Sequence, residues 1–120
     1  MSGVAGTMQR LANDLRGCRC AFTMDYDGLP VEVARSAAAG IDLDAIGAEM
    51  AIVLREARQA AQDLGLGPLQ GVSVRGVGPT LIFQDSGRDY LLVAVLDRAS
   101  SAVAARRALA EAARDEPAAP

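Results

Sequence analysis

The sequence predicts an α+β fold, in which a five-stranded antiparallel sheet carries helices on both faces in the order α-β-β-α-β-β-β-α. Three observations favour this fold. Short segments with the alternating pattern of β-strands occur in pairs that are joined by glycine-containing turns. A long, alanine-rich segment with helical periodicity follows the first pair. The segment YLLVAVL is apolar on both of its faces, as a central strand covered on both sides would be.

Length and composition are typical of one globular domain. The 120 residues are enough for one hydrophobic core but not for two. The chain is 51% hydrophobic and 22% charged, which favours a folded protein over a disordered one. We place the domain at residues 1–114 and expect residues 115–120 to form a disordered tail.

The net charge is −3, which argues against a nucleic-acid-binding protein, because such proteins need a basic face to neutralise phosphates. The N-terminus lacks the basic and apolar regions of a signal peptide, and no apolar run approaches the roughly 20 residues that span a bilayer. We therefore expect a cytoplasmic protein without membrane insertion, in which Cys18 and Cys20 stay reduced.

The first elements are a helix and a hairpin. The segment GTMQRLANDLRG has the pattern of a short amphipathic helix that ends at Gly17. The strand CRCAFTMD alternates with period two, and we expect one face to carry Cys18, Cys20, Phe22 and Met24. If Asp27-Gly28 forms a two-residue type I′ loop, Met24 faces Val31 and Phe22 faces Val33. Pro30 cannot donate a ladder hydrogen bond, so the strand 29–35 should lie at a sheet edge.

The main helix is predicted at about Leu43 to Leu64, with Asp42 as its N-cap. One apolar stripe should face the core; it contains Ile46, Met50, Val53, Ala57, Ala60, Ala61 and Leu64. The opposite, outer face should carry Gly47, Ala51, Arg55, Arg58 and Gln62, with Ala48 and Ile52 beside them.

The remaining elements are three strands and a last helix. The strand 70–75 should be the second edge of the sheet, and a second hairpin should follow it. If Ser86-Gly87 forms the tip of that hairpin, Phe83 meets Tyr90. The segment SSAVAARRALAEAAR has the pattern of a helix that is capped by Ser100 or Ser101.

The sequence contains no complete catalytic or metal-binding pattern. When Gly28 is aligned with the glycine of an EF-hand loop, Thr23 takes the first ligand position and Ala34 the last, so calcium is not favoured. With no His and only two Cys, one chain cannot complete a tetrahedral zinc site or a Ser-His or Cys-His pair. We expect no catalytic residues, no metal and no cofactor, and therefore a binding or scaffold protein rather than an enzyme.

Three stretches resemble the Roadblock family, the group that contains dynein light chains and MglB. CAFTMDYDGLPVEVAR is similar to the first hairpin of that family, and IDLDAIGAEMAIVLREARQAAQDLGLGPLQGVSVRG to its long helix and following strand. GPTLIFQDSGRDYLLVAVLDRASSAVAARRAL is similar to its last hairpin and closing helix. The resemblance extends from Cys18 to Leu109. Family members often have a glycine before the last helix, where this chain has Ala99-Ser100-Ser101.

The resemblance implies a profilin-like domain that forms a homodimer. In the family, the third strands of two subunits pair edge to edge and the long helices lie side by side. Small residues on the outer face of a helix would allow a close approach of this kind, although alanine also simply favours helix formation. The candidate interface residues are Gly47, Ala48, Ala51, Ile52, Val72, Ser73, Val74 and Arg75.

The resemblance also implies a partner. Family members bind small Ras-like GTPases or act as scaffolds, and MglB-type members can stimulate GTP hydrolysis by reorganising the GTPase's own residues. The candidate contact residues here are Arg55, Arg58 and Gln62. The alternative is a profilin-like scaffold or sensor for other signalling proteins or a small ligand, since Arg19, Thr23 and Glu32 give the first hairpin an unusually polar side.

Overall fold

The computed structural model describes residues 3–35, 40–97 and 101–115, which form one antiparallel sheet with helices on both of its faces. The strand order is β2-β1-β5-β4-β3. The order of elements and both edge strands agree with the prediction. In chain order the elements are α1 (Val4–Asp14), β1 (Cys18–Asp25), β2 (Pro30–Arg35), α2 (Leu43–Asp63), β3 (Gly71–Arg75), β4 (Thr80–Asp85), β5 (Tyr90–Leu96) and α3 (Ala102–Asp115).

The last helix begins and ends close to the predicted positions. The Ser101 side chain caps α3, because its Oγ accepts a hydrogen bond of 3.1 Å from the Ala104 N–H. Ser100, the alternative cap, lies outside the described residues. Helix α3 reaches Asp115, so the first residue of the expected tail is helical, and the tail's other residues lie outside the described part of the chain.

Hydrophobic clusters cover the two faces of the sheet. Helices α1 and α3 pack on one face through Met8, Ala105 and Leu109, which meet Ile82 and Leu92 of the sheet. Helix α2 packs on the other face, where the cluster includes Leu54, Phe22, Met24, Phe83 and Val93. Strand β5 is buried along both faces, as its apolar sequence predicted.

The first irregularity of the sheet lies in β1 at Arg19. The register of β1 against β5 shifts between Cys18 and Cys20. Cys18 therefore joins the cluster under α1 and α3, whereas Cys20 joins the cluster under α2. The prediction that the two thiols share a face was wrong, because a β-bulge breaks the period-two alternation. Burial raises the pKa of Cys18 to about 11 and also raises that of Cys20.

The first hairpin turns through Tyr26, Asp27 and Gly28 rather than through a two-residue type I′ loop. The Gly28 N–H donates to the Asp25 carbonyl at 3.0 Å, and the Asp25 N–H donates to the Leu29 carbonyl at 3.2 Å. A type I′ turn needs positive φ at both central residues, but only Gly28, with φ 89°, has it. Met24 consequently pairs with Pro30 instead of Val31.

A bulge in β2, where Val31 and Glu32 lie opposite Thr23 alone, then restores the predicted pairing further along this hairpin. The register shifts between Phe22 and Met24, and Phe22 faces Val33 as expected. The Thr23 hydroxyl oxygen accepts a hydrogen bond of 3.1 Å from the Glu32 N–H at the bulge. The longer loop and the bulge therefore compensate each other, and Phe22 lies opposite Val33.

The second hairpin has a different register from the predicted one. Its loop comprises Gly87, Arg88 and Asp89, closed by a hydrogen bond of 3.0 Å from the Ser86 N–H to the Tyr90 carbonyl. Phe83 consequently pairs with Val93 and not with Tyr90. The prediction failed because β5 is apolar on both faces, so that side-chain alternation could not fix its register.

Helix α2 is rotated about its axis relative to the prediction. Its inward face carries Leu43, Gly47, Met50, Ala51, Leu54 and Ala61. Three members of the predicted core stripe are exposed instead: Val53, Ala60 and Leu64. Small apolar residues lie on several faces of this alanine-rich helix, so the sequence pattern did not distinguish the inner face from the outer one.

Candidate functional site

Two of the residues predicted for a dimer interface are internal. Gly47 is buried, and a Cβ added there would overlap the carbonyl oxygen of Gly28 in the first hairpin. Ala51 is 4% exposed and lies beside the same glycine. The expectation that both face outward was wrong, because the hairpin loop packs directly against this side of α2.

The other predicted interface residues lie at accessible positions. Ala48 and Ile52 are exposed on the outer side of α2, and Ile52 is 58% exposed. Strand β3 lies at the sheet edge, where its backbone pairs only with β4 among the described strands. Val72 is half-buried, and the rest of the predicted strand residues are exposed: Ser73, Val74 and Arg75.

All three residues predicted for partner binding line one open groove, of about 980 Å³. Arg55, Arg58 and Gln62 supply one wall of the groove from α2. Asp85 and the second hairpin loop lie across from them, and the segment after α2 contributes further lining. The other lining residues are Tyr26, Gln59, Gly65, Gly67, Pro68, Leu69, Gly87 and Asp89.

Tyr26 joins the two hairpins at this groove. Its hydroxyl donates a hydrogen bond to Asp85 Oδ2, at the end of β4. The second carboxylate oxygen of Asp85 accepts from the Gly87 N–H at 2.6 Å. Burial, followed by the Asp85 hydrogen bond, raises the pKa of Tyr26 above its ordinary value of 10.0. The hydroxyl therefore stays protonated and holds the two turns together.

The two arginines of the groove are held in different ways. Arg55 Nη1 donates to the Tyr26 carbonyl at 3.4 Å and pairs with Asp27 Oδ1 at 3.2 Å. The Arg58 guanidinium lies over the Tyr26 ring, with its carbon 4.0 Å from the ring centroid. Stacking fixes the plane of a guanidinium without using its N–H donors. Among the described residues, Arg58 therefore contacts the Tyr26 ring without using its N–H groups in hydrogen bonds, whereas Arg55 is bound to the first hairpin.

Sequence reasoning missed the residues that complete the groove. Tyr26, Asp85 and Asp89 come from two turns that are far from α2 in sequence. None of the three was predicted as a site residue. The one available signal was the pair of polar turns, since loops on a rigid sheet often carry binding residues.

Two of the polar side chains of the first hairpin, Arg19 and Thr23, are engaged in contacts within the chain. Thr23 is 3% exposed, and its hydroxyl is used at the bulge. Arg19 Nε lies 3.5 Å from Asp97 Oδ1 in an ion pair. The Oδ1 atom of Asp25 accepts hydrogen bonds of 3.0 Å from the N–H groups of Asp27 and Leu29. It stabilises the turn.

Comparison with protein families gives a match over most of the chain. The model of the Roadblock/LC7 domain matches residues 4–97. The chain belongs to the Roadblock/LC7 domain family. The matched region contains α1, α2 and the whole sheet, so every wall of the groove lies within the Roadblock/LC7 domain. A search of the curated proteins finds no match.

Solved structures of Roadblock-type proteins have the same fold. Myxococcus xanthus MglB is 19% identical, with a TM-score of 0.78, and the match covers 92% of this chain and 88% of that protein. A structure described as MglB with tetrameric arrangement is 20% identical, with a TM-score of 0.80 and coverage of 94% and 88%.

Profilin has a similar fold at lower similarity. Acanthamoeba castellanii profilin II is 16% identical, with a TM-score of 0.55 and coverage of 89% of this chain and 94% of that one. The Roadblock/LC7 chain is therefore profilin-like, as predicted. In the described part of the chain, no helix combines the length and apolarity needed to cross a membrane.

Proposed function

We propose that this Roadblock/LC7 protein is a non-catalytic, dimeric regulatory or scaffold protein that binds a small Ras-like GTPase and modulates its GTP hydrolysis. The observation that carries the proposal is the common position of Arg55, Arg58 and Gln62. Within a domain of this family, the three side chains line one open groove that both hairpin turns border. The fold supports this role by presenting a long helix whose polar flank is accessible to a partner.

The surface outside the groove supports association with a second copy. Strand β3 is an edge strand, and an uncovered strand edge is a template for pairing with another chain. Helix α2 exposes Ile52 and Val53, which are apolar side chains that an interface would cover. The proposed dimer interface therefore comprises β3 together with Ala48 and Ile52, while Gly47 and Ala51 belong to the interior of each protomer.

Binding and hydrolysis measurements with purified small GTPases test the proposal. GTPases encoded beside this gene would be loaded with GDP or with a non-hydrolysable GTP analogue and titrated calorimetrically with the protein. We expect binding that prefers one nucleotide state, and a changed rate of phosphate release. Absence of binding in both states would contradict the proposal.

A charge-matched pair of variants tests the location of the site. Arg55→Ala with Arg58→Ala should weaken GTPase binding at least about tenfold, which corresponds to about 1.4 kcal/mol. Arg106→Ala with Arg107→Ala removes the same charge from exposed positions on α3 and should leave binding unchanged. Equal losses in both variants would indicate a general charge effect and not a site on α2.

A further inference from the structure

A cation and an anion line the groove, and neither forms an ion pair with another of the described residues. The Arg58 guanidinium forms neither a hydrogen bond nor an ion pair with any residue in the described ranges, and its plane is held by the Tyr26 ring. The Asp89 carboxylate, in the second hairpin loop, likewise has no such partner within the part of the chain described. Both side chains are exposed at the groove.

The other charged groups of the groove are already held by an ion pair or by hydrogen bonds within the chain. Arg55 pairs with Asp27 at 3.2 Å, so these two charges compensate each other. Both oxygens of Asp85 accept hydrogen bonds, one from the Tyr26 hydroxyl and one from the Gly87 N–H. An incoming partner would leave these pairs intact and meet Arg58 and Asp89.

The Arg58 side chain is held by a ring contact, and the backbone of Asp89 is held by its loop. Stacking on Tyr26 restricts Arg58, so little side-chain entropy is lost when its fork binds a carboxylate. Asp89 has a positive φ of 71°, in a loop closed by the Ser86–Tyr90 hydrogen bond. The α2 wall adds Gln62, one helical turn beyond Arg58, as a second polar group that can donate to an acceptor.

We infer that the groove receives a surface segment of the partner protein that carries both charges, an acidic side chain for Arg58 and a basic side chain for Asp89. The inference rests on the proposed function and deepens it, since it assigns the chemistry of the GTPase segment. The two arginines then have different roles. Arg58 binds the partner, and Arg55 is a positioning residue that holds the first hairpin against α2. Purely acidic or purely basic segments would leave one of the two charges unpaired.

Capped heptapeptides test this charge preference independently of any GTPase. One set carries one Glu and one Arg at every relative spacing in an Ala/Ser background, and two further sets carry two Glu or two Arg. Binding to the full chain would be measured by fluorescence polarisation at low and at physiological salt. Mixed-charge peptides of a particular spacing should bind at least about fivefold more tightly than either single-sign set.

Neutralising variants identify the groups that are responsible. Arg58→Gln and Asp89→Asn should each weaken binding of the mixed peptides, and of the GTPase, by about tenfold. Asn tolerates positive φ, so Asp89→Asn preserves the loop. Arg55→Gln should have a smaller effect than Arg58→Gln. The controls Arg106→Gln and Glu111→Gln make the same charge changes at exposed positions on α3 and should change neither affinity.

The outcomes separate this inference from the proposed function. If a GTPase binds and neither Arg58→Gln nor Asp89→Asn weakens it or any peptide, the inference is overturned and the proposed function stands. If no GTPase binds but mixed peptides bind in a manner dependent on both residues, the groove chemistry is supported and the GTPase proposal fails. Loss of affinity with only one of the two variants would also overturn the two-charge inference.

Discussion

At the scale of single residues, Gly28 and Gly47 let the first hairpin lie directly against the α2 backbone. A Cβ at either position would overlap a backbone atom of the other residue. Gly28 also has φ 89°, which a residue with a side chain rarely adopts. The close approach places Tyr26 and Asp27, the two residues before Gly28, within reach of Arg55 and Arg58.

Replacing Gly47 with alanine should therefore destabilise the protein, although alanine is normally favoured over glycine inside a helix by about 1 kcal/mol. We expect a net loss of about 1–3 kcal/mol in the free energy of unfolding, because the methyl group must displace the hairpin. Urea denaturation measures this loss. Gly76→Ala is the control, since a Cβ there has no heavy atom within 4 Å, and it should change stability little. Stabilisation by Gly47→Ala would contradict the observed contact.

Replacing Tyr26 with phenylalanine should remove the hydrogen bond to Asp85 and cost about 1–3 kcal/mol of stability at neutral pH. The pKa of Tyr26 is raised in the folded protein, so its stabilising contribution is complete below pH 10 and declines as the pH rises above that value. The buried thiols add a similar decline in both proteins. Between pH 8 and pH 11, urea denaturation should show a smaller decrease in the free energy of unfolding for Tyr26→Phe than for the parent protein. Equal decreases would refute the stabilising role of the protonated Tyr26 hydroxyl.

At the scale of elements, α2 has a clear local start signal. Asp42 Oδ1 accepts a hydrogen bond of 3.0 Å from the Ala45 N–H, as the sequence predicted for the N-cap. Asp44 in the first turn also interacts favourably with the helix dipole. These signals fix where the helix begins, but they do not fix which of its faces turns inward.

Asp42→Ala should lower the free energy of unfolding by about 1 kcal/mol, the usual cost of removing an N-cap. Thermal or urea unfolding would measure the change. Glu49→Ala, at an exposed position on the same helix, removes an equal charge without removing a cap and should change stability by less than about 0.5 kcal/mol. A similar loss in both variants would mean that charge and not capping is responsible.

The two hairpins show how far local patterns determine an element. Asp27-Gly28 lies within the first turn, whereas in the second only Gly87 of the predicted Ser86-Gly87 tip lies in the loop, and Ser86 pairs with Tyr90. Loop length was not determined, since both turns close with three residues instead of two. In the first hairpin, a bulge restored the expected Phe22–Val33 pair, whereas in the second the register stayed three residues away from the prediction.

At the scale of the whole molecule, the accessible side of α2 and the β3 edge form the surface proposed for self-association. Replacing Ile52 with arginine should weaken a dimer by at least about tenfold, because it places a charge on an apolar part of the interface. Val103→Arg on α3 is a matched control, since Ile52 and Val103 are both 58% exposed. Light scattering over a dilution series would compare the variants. If both variants dissociate to the same extent, or if neither dissociates, Ile52 does not lie in the interface.

The sequence by itself determined the number, type and order of the elements and the identity of both edge strands. Periodicity, caps and turn residues act over a few neighbours, and each was visible in one short segment. The tertiary structure decided the strand registers, the inward face of α2 and the groove. A strand that is apolar on both faces and an alanine-rich helix can each pack in several ways that fit their local sequence. The hairpin turn lies beside Arg58 because Gly28 packs against Gly47 in the tertiary structure.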